Sequence, residues 1–322
     1  MAPVRSGDVP ALSAADEAEL ARLLRALEAD RWPDDIAEAR RFYDAWGTPV
    51  APDVGVRRRP VGDVPAYVLT PPDAEESTIG LYLHGGGYVY GSQASHGGLA
   101  AEAARAARCP MVHLQYRRAP EHRYPAALED AVSAYAALLD EGWPPGAVVV
   151  AGDSAGGGLV LATLRAVRDR GLPMPRAAAC ISPWVDLAGT GETFRTKEAV
   201  DPLITKRVVA LVAESYLAGV PPETPYASPL YGSVHGFPPV LIQVGEREML
   251  LSDAERFAAK LAEAGSPVTL EVWPGMVHVW HLHHRRLAKA RQALARLGRF
   301  LQAPPTGRGA GRQPAAAEGT RR

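Results

Sequence analysis

The stretch Val148-Val-Val-Ala-Gly-Asp-Ser154-Ala-Gly-Gly-Gly158 determines how the rest of the chain is interpreted. A β-branched run ends in Gly-x-Ser-x-Gly, and an apolar helical pattern follows from Leu159 to Arg168. This order predicts a strand, a sharp turn and a helix, with Ser154 at the apex. The flanking glycines leave room for the turn, and the hydroxyl lies at the positive end of the helix. The pattern indicates a nucleophilic serine, although a tight strand–helix turn that happens to contain serine has the same letters.

The composition is that of a globular chain without a polyanionic partner. The chain has 322 residues, of which 47% are hydrophobic, and a formal net charge of −1. This charge balance argues against binding to nucleic acid or an anionic membrane. Cys109 and Cys180 are too few for a disulfide framework. Residues 1–10 show no secretion signal, and no apolar run is long enough to span a bilayer, so we expect a cytoplasmic protein.

The apolar pattern predicts an α/β fold in which strands alternate with helices. From the third strand onward, this alternation predicts a mostly parallel central sheet covered by helices on both faces. The first two strands are joined by a short turn and are expected to be antiparallel. Strands are predicted at 54–61, 66–70, 79–84, 111–116, 147–152, 177–182, 240–245 and 268–273. Helices are predicted near 96–108, 125–141, 157–170, 252–264 and 287–301.

The regions outside this alternation suggest a cap and a tail. Residues 1–53 hold two amphipathic helices, near 13–29 and 34–46, that precede the first strand and are expected to contribute to a helical cap. The catalytic domain is expected to span 54–302. Its alternation pauses at about 187–238, where a cap insertion with a helix at 205–217 is predicted. Residues 1–12 are expected to be flexible, and 303–322 to form a disordered tail.

A second motif, His84-Gly-Gly-Gly-Tyr88, follows the third strand. Successive glycines leave backbone N–H groups bare, so a ligand can approach them closely. The N–H groups of Gly86 and Gly87, with that of Ala155 after the serine, would form a three-donor cradle for an oxyanion. A flexible loop is the alternative, but a glycine loop ahead of a serine elbow is the arrangement described for lipases and esterases.

At this point the chain resembles a known family, the α/β-hydrolases of the hormone-sensitive-lipase type, also called bacterial family IV esterases. The resemblance covers roughly residues 60–300, and Arg118 departs from the usual leucine of its motif. The matching pieces are His84-Gly-Gly-Gly-Tyr-Val-Tyr-Gly-Ser92, Tyr116-Arg-Arg-Ala-Pro-Glu-His122, Gly152-Asp-Ser-Ala-Gly-Gly157, Ser182-Pro-Trp-Val-Asp186, Ala227-Ser-Pro-Leu-Tyr231 and Trp273-Pro-Gly-Met-Val-His278.

A serine nucleophile needs a base, and this fold supplies its partners in the order serine, acid, histidine. Among nine histidines, His278 follows the last strand, in the place that the family's histidine occupies. His84 is expected to order its own loop. The cluster His281, His283 and His284 is expected to form one face of a helix after the last strand, and it lacks a carboxylate or cysteine beside it, so we expect no metal site.

The acid has two candidates. Alignment on the end of the strand at 240–245 and on Leu250 places Glu248 where the family usually has aspartate, and glutamate can orient an imidazole equally well. The alternative is Asp253, although an aspartate at a helix start is normally a cap or a first-turn charge.

These residues predict a serine carboxylesterase that acts through an acyl-serine intermediate, without a cofactor, and the resemblance implies short- to medium-chain acyl esters as its substrates. Tyr88 and Trp184 are expected to bind substrate. A lactone hydrolase or an acyltransferase on the same triad remains an alternative. A non-catalytic binding protein, as in the related gibberellin receptors that lack the catalytic histidine, is disfavoured because His278 is present. An edge strand near Val268 suggests a possible homodimer.

Overall fold

One sheet organises the chain. A computed structural model describes residues 5–6, 9–28, 33 and 35–304, and within these ranges nine strands form a single sheet. The strands are β1 Arg5–Ser6, β2 Gly55–Arg58, β3 Ala66–Thr70, β4 Ile79–Leu83, β5 Met111–Leu114, β6 Val148–Asp153, β7 Ala177–Ile181, β8 Val240–Gly245 and β9 Val268–Trp273.

The sheet is mostly parallel, as predicted. Its strand order is β1-β9-β8-β7-β6-β4-β5-β3-β2. Among the strands that the structure describes, only the pairs β2–β3 and β3–β5 are antiparallel. The elbow strand β6 lies between β4 and β7, so the loops after β4, β6 and β7 meet at one sheet edge. In open α/β sheets, ligands bind at the carboxyl ends of the strands, which makes this edge the expected place for a site.

Helices cover both faces of the sheet. They are α1 Ala14–Glu28, α2 Ile36–Ala45, α3 Gln93–Ala107, α4 Ala126–Asp140, α5 Ala155–Asp169, α6 Glu192–Thr196, α7 Lys206–Leu217, α8 Leu251–Glu263 and α9 Ala288–Gln302.

The apolar run of β6 reflects burial on both faces. Val148 and Val150 pack into a core shared with α4, α5 and α8, whereas Val149 and Ala151 pack into a second core with α3 and α9. Successive side chains of a strand point to opposite faces, so a strand buried on both sides needs apolar residues at every position. The continuous valine run that predicted this strand is thus the direct consequence of its central place in the sheet.

The two N-terminal helices pack on different parts of the molecule. Leu20 and Leu23 of α1 pack against Trp273 and Trp280, around the segment that follows β9. The helix α2 packs instead on the loop that follows β4. The predicted insertion contains α6 and α7, and the division into a catalytic domain and a cap stays a prediction.

Three expectations need correction. The third helix begins at Gln93 rather than near 96, because Ser92 and Ser95 form a capping box. Of the histidine cluster, His281 and His283 lie in a short 3₁₀ helix, Trp280–His283, ahead of α9, and His284 follows it. Residues 5–6, expected to be flexible, form β1 and pair with Thr269 and Leu270 of β9.

That pairing occupies part of the sheet edge on which the predicted homodimer depended, because β1 uses the ladder groups of β9 at those two positions. The dimer and the cytoplasmic location stay predictions. No helix in the described ranges has the length and apolar character needed to cross a bilayer. The predicted tail lies, from residue 305 onward, outside the described residues.

Candidate active site

Ser154 lies at the apex of a strained turn between β6 and α5. Its backbone adopts φ 54° and ψ −124°, a conformation that L residues rarely adopt. The turn is fixed on both sides, because Ser154 N–H donates to Ile181 O at 2.8 Å and Ser154 O accepts from Trp184 N–H at 3.0 Å. A Cβ at Gly156 would collide with the carbonyl oxygens of Leu83 and His84. Glycine there lets α5 pack directly against the end of β4, which presents the hydroxyl at the sheet edge.

His278 lies within hydrogen-bonding distance of this hydroxyl. The loop that follows β9 places His278 Nε2 2.8 Å from Ser154 Oγ. The other ring nitrogen, Nδ1, lies 3.0 Å from Glu248 Oε2. Burial lowers the pKa of His278, but the hydrogen bond and charge of Glu248 outweigh this effect, so the pKa lies above its usual value. The structure therefore brings together a hydroxyl, an imidazole and a carboxylate in the geometry of a serine triad.

Glu248 is fully buried and has a partner at each oxygen. Oε1 accepts from Gly245 N–H at 2.5 Å and from Ser182 Oγ–H at 2.7 Å, which leaves Oε2 for His278. The Ser182 hydroxyl also accepts from Val279 N–H at 3.2 Å, next to His278. Ser182 thus joins the carboxylate to the histidine loop. Sequence reasoning identified Ser182 only as part of a matching motif, because its partners lie far away in sequence.

Asp253 has different partners. Its Oδ2 accepts from the backbone N–H groups of Val185 and Asp186, at 3.2 and 3.1 Å. Burial and the nearby charge of Asp186 raise the pKa of Asp253 to about 8. Asp253 therefore supports the segment after β7, and Glu248 is the acid that contacts His278. The Glu246 carboxylate accepts from Gly275 N–H at 2.8 Å.

The glycine loop after β4 turns back on itself. Gly86 and Gly87 have φ values of 109° and 61°, which glycine adopts without strain. Gly86 O accepts from Val89 N–H at 3.0 Å and from Tyr90 N–H at 2.8 Å. In a trans peptide the N–H points opposite to the C=O, so the N–H of Gly87 faces away from these two donors. Ala155 is the first residue of α5, where an N–H has no acceptor within its own helix.

Tyr88 and Trp184, predicted to bind substrate, are nearly closed to solvent. They are 1% and 3% exposed, respectively. Tyr88 stacks on Tyr216 of α7 with ring centroids 3.9 Å apart. Nearer the glycine loop, a Cβ built at Gly87 would lie 2.9 Å from Cγ2 of Val212, also on α7. Little of either ring is exposed, so α7 and the glycine loop offer a substrate more accessible surface than these two rings do. Substrate contact by Tyr88 and Trp184 stays a prediction.

The other histidines near the site have structural partners. His84 Nδ1 lies 2.8 Å from Gly85 O, and burial lowers the pKa of His84 to about 3, which keeps the ring neutral. His96 Nε2 lies 3.2 Å from Oδ2 of Asp153 in the fully buried region behind the elbow. Burial raises the pKa of Asp153, but His96 and the Tyr82 hydroxyl outweigh it, so Asp153 stays ionised. Arg118, where the family has leucine, donates to Gly91 O.

This arrangement suits acyl transfer through serine. An imidazole that accepts from Ser154 can remove its proton as the hydroxyl attacks a carbonyl carbon. Backbone N–H groups at the start of α5 and in the glycine loop can stabilise the negative charge that develops on the carbonyl oxygen. Among the described residues, no group of three histidines, cysteines or carboxylates is arranged to hold a metal ion.

Comparisons with known proteins agree with this fold. A family model described as the alpha/beta hydrolase fold matches residues 80–282. An acetyl-hydrolase of Streptomyces hygroscopicus is 44% identical over 293 residues, which are 90% of this chain and 97% of the relative. An esterase of Acinetobacter venetianus is 32% identical over 228 residues, 70% of this chain and 75% of the relative. A crystal structure of an esterase from the bacterial hormone-sensitive lipase family superposes with a TM-score of 0.87 at 42% identity, covering 91% of this chain and 99% of that one.

The fold and the serine elbow define an α/β-hydrolase, and the chain belongs to the hormone-sensitive-lipase type of that family. It is an ester hydrolase, since these relatives and structural neighbours are named esterases and acetyl-hydrolases. The predicted family and fold class are therefore confirmed.

Proposed function

We propose that the chain is a serine carboxylesterase for short- to medium-chain acyl esters, with Ser154, His278 and Glu248 as its triad. The observation that carries this proposal is the unbroken set of contacts from Glu248 through His278 to Ser154, at 3.0 and 2.8 Å. The raised pKa of His278 supports its role as the base, because a more basic imidazole accepts the serine proton more readily.

The proposed reaction has two stages. Ser154 Oγ attacks the ester carbonyl while His278 Nε2 takes its proton, and Glu248 stabilises the imidazolium. The N–H groups of Gly86, Gly87 and Ala155 bind the oxyanion. The alkoxide leaves with the proton from His278, so Ser154 carries the acyl group. Water then attacks the acyl-serine by the same steps, which releases the acid and restores the hydroxyl.

Two observations support a small acyl group. The relative from Streptomyces hygroscopicus is named an acetyl-hydrolase. Val212 of α7 contacts Gly87 closely enough that a Cβ at Gly87 would lie 2.9 Å from it, so a branched side chain limits the space beside the proposed oxyanion donors. Longer acyl chains must therefore extend away from this contact, and we expect activity to decline as the chain lengthens.

The test is a series of p-nitrophenyl esters from acetate to dodecanoate, assayed with wild type and Ser154→Ala. We expect the highest kcat/KM at the short end and a loss of about 10⁶-fold in kcat for Ser154→Ala. Lactones and added alcohols belong in the same series, since product analysis separates hydrolysis of a linear ester from lactone opening and from acyl transfer. Wild-type turnover by Ser154→Ala would refute the proposed nucleophile.

A further inference from the structure

Two side chains of the helix α2, Arg40 and Asp44, form hydrogen bonds with the loop that follows β4. Arg40 Nε donates to Val89 O at 2.9 Å, and Nη2 donates to Ala119 O at 2.8 Å. The same guanidinium forms a bidentate ion pair with Glu121, at 2.8 and 2.7 Å. One turn further along α2, Asp44 Oδ1 accepts from Ser92 Oγ–H at 2.6 Å. The helix α2 is distant in sequence from the triad, but it is hydrogen-bonded to the loop that carries the proposed oxyanion donors.

Val89 links the hydrogen bond from Arg40 to the proposed oxyanion donors. Its C=O accepts from Arg40 and lies in the same planar peptide as the N–H of Tyr90, which donates to Gly86 O at 2.8 Å. The C=O of Gly86 and the N–H of Gly87 belong to one planar peptide and point in opposite directions. Rotation of the Val89–Tyr90 peptide would therefore move the Gly86 carbonyl and change the direction of the Gly87 N–H. Gly86 packs closely on the backbone of Tyr90, since a Cβ at Gly86 would lie 2.5 Å from Tyr90 C.

We propose that Arg40 is a positioning residue that fixes the direction of the Gly87 N–H through the Val89–Tyr90 peptide and Gly86. The proposal rests on the proposed function, because it assigns Gly87 to the oxyanion cradle. Under this proposal, α2 helps to position an oxyanion donor in addition to packing over the loop.

Glu121 is the outer anchor of Arg40. The hydrogen bonds from Arg40 lower the pKa of Glu121 to about 2 against the opposing effect of burial, so this carboxylate is ionised throughout the neutral range. A guanidinium held by two carboxylate oxygens has a fixed plane, and this plane sets the direction of Nε toward Val89 O. Lysine cannot reproduce this geometry, because its ammonium lacks the planar fork.

The chain offers a matched control. Arg59 forms a second bidentate pair, with Glu141, at 2.7 and 2.8 Å. The side chains in that pair are 27% and 34% exposed, against 18% and 51% for Arg40 and Glu121. The control pair joins the segment after β2 to the end of α4 and contacts no residue of the site. Arg59→Met therefore removes a similar ion pair without disturbing the glycine loop.

The test compares Arg40→Met with Arg59→Met on p-nitrophenyl acetate. For Arg40→Met we expect kcat to fall about 10- to 100-fold with KM within about twofold, because losing a whole oxyanion donor costs about 10²–10³ and here one donor is only misdirected. Arg59→Met should keep kcat within about twofold. The Ki of an aryl trifluoromethyl ketone, which forms a tetrahedral adduct with serine, should rise for Arg40→Met by the factor that kcat/KM loses.

Equal kcat for Arg40→Met and Arg59→Met, or an unchanged Ki beside a reduced kcat, would overturn the proposal. If Arg40→Met does not fold, as judged by circular dichroism, Arg40→Lys and Glu121→Gln replace it. Both should give a smaller loss of kcat in the same direction, and wild-type kcat in both would overturn the proposal. A wild-type protein without esterase activity would refute the proposed function instead, so the two failures are distinguishable.

Discussion

Replacing Glu248 by glutamine tests the proposed acid of the triad with almost no change in shape. In the wild type, Oε1 of Glu248 accepts from Gly245 N–H and Ser182 Oγ–H, while Oε2 faces His278 Nδ1. The glutamine carbonyl oxygen must take the place of Oε1, because both of its neighbours there are donors. The amide NH₂ then faces Nδ1 and donates to it. His278 must carry its proton on Nε2, where it can no longer accept the proton of Ser154.

The expected loss is large. A carboxylate-to-amide change that enforces the wrong tautomer in a serine triad costs about 10⁴ in kcat. We expect about 10³- to 10⁴-fold for Glu248→Gln, which corresponds to roughly 4–5.5 kcal/mol of transition-state stabilisation. The remaining activity reflects the oxyanion donors and substrate binding, which the substitution leaves in place.

Asp253→Asn is the matched control for this change. Asp253 is buried and its pKa is raised to about 8, so at neutral pH it is largely protonated and asparagine is a close neutral substitute. We expect kcat/KM for p-nitrophenyl acetate to stay within about threefold of wild type. The assay is kcat/KM at pH 5–9 for the wild type and both variants, with thermal melting to confirm folding.

The pH profile adds an independent readout. His278 must be neutral to act as the base, and its pKa lies above the ordinary 6.5, so wild-type activity should fall as pH drops through a value above 6.5. Without the negative charge of Glu248, this limb should move to lower pH. Activity within tenfold of wild type for Glu248→Gln, or an equal loss for Asp253→Asn, would refute the reasoning.

Three further predictions concern groups around the triad. Ser182→Ala removes the O–H donor to Glu248. Because a hydrogen bond to a charged group contributes about 1.5–3 kcal/mol, kcat/KM should fall about 10- to 100-fold. Unchanged steady-state kinetics would contradict this prediction. Gly86→Ala brings a Cβ to 2.5 Å from Tyr90 C at a φ of 109°, so esterase activity should drop at least about 100-fold, and a fully active variant would refute the loop geometry. The folded-state pKa of Asp253 is raised from 3.8 to about 8, so its contribution to stability is full below pH 4 and is lost as pH rises toward 8. In urea unfolding, the free energy of unfolding should fall by several kcal/mol across this window, and Asp253→Asn should remove that fall. Identical pH dependence of the wild type and Asp253→Asn would contradict this prediction.

The central part of the fold was predictable from local pattern. The valine run of β6 and the glycines around Ser154 combine strand, turn and helix signals within eleven residues. The same holds for the glycine loop after β4. These features depend on neighbours in sequence, so the amino-acid order alone identifies them.

Other features depend on partners distant in sequence, which pattern does not reveal. Glu248 and Asp253 both follow β8, and only their three-dimensional surroundings separate a carboxylate at His278 from one that accepts backbone N–H groups. Ser182 is 66 residues from Glu248, and Arg40 is 49 residues from Val89. The short strand β1 was missed because a two-residue pairing has no periodicity to detect.

The central claim is that Ser154 is the activated nucleophile of an ester hydrolase. The most direct measurement is covalent labelling by a fluorophosphonate, followed by intact-mass analysis and peptide mapping of wild type and Ser154→Ala. We expect one label per chain, located on Ser154, and none on the variant. A wild-type chain that hydrolyses esters but is labelled at another residue, or is not labelled, would contradict the account.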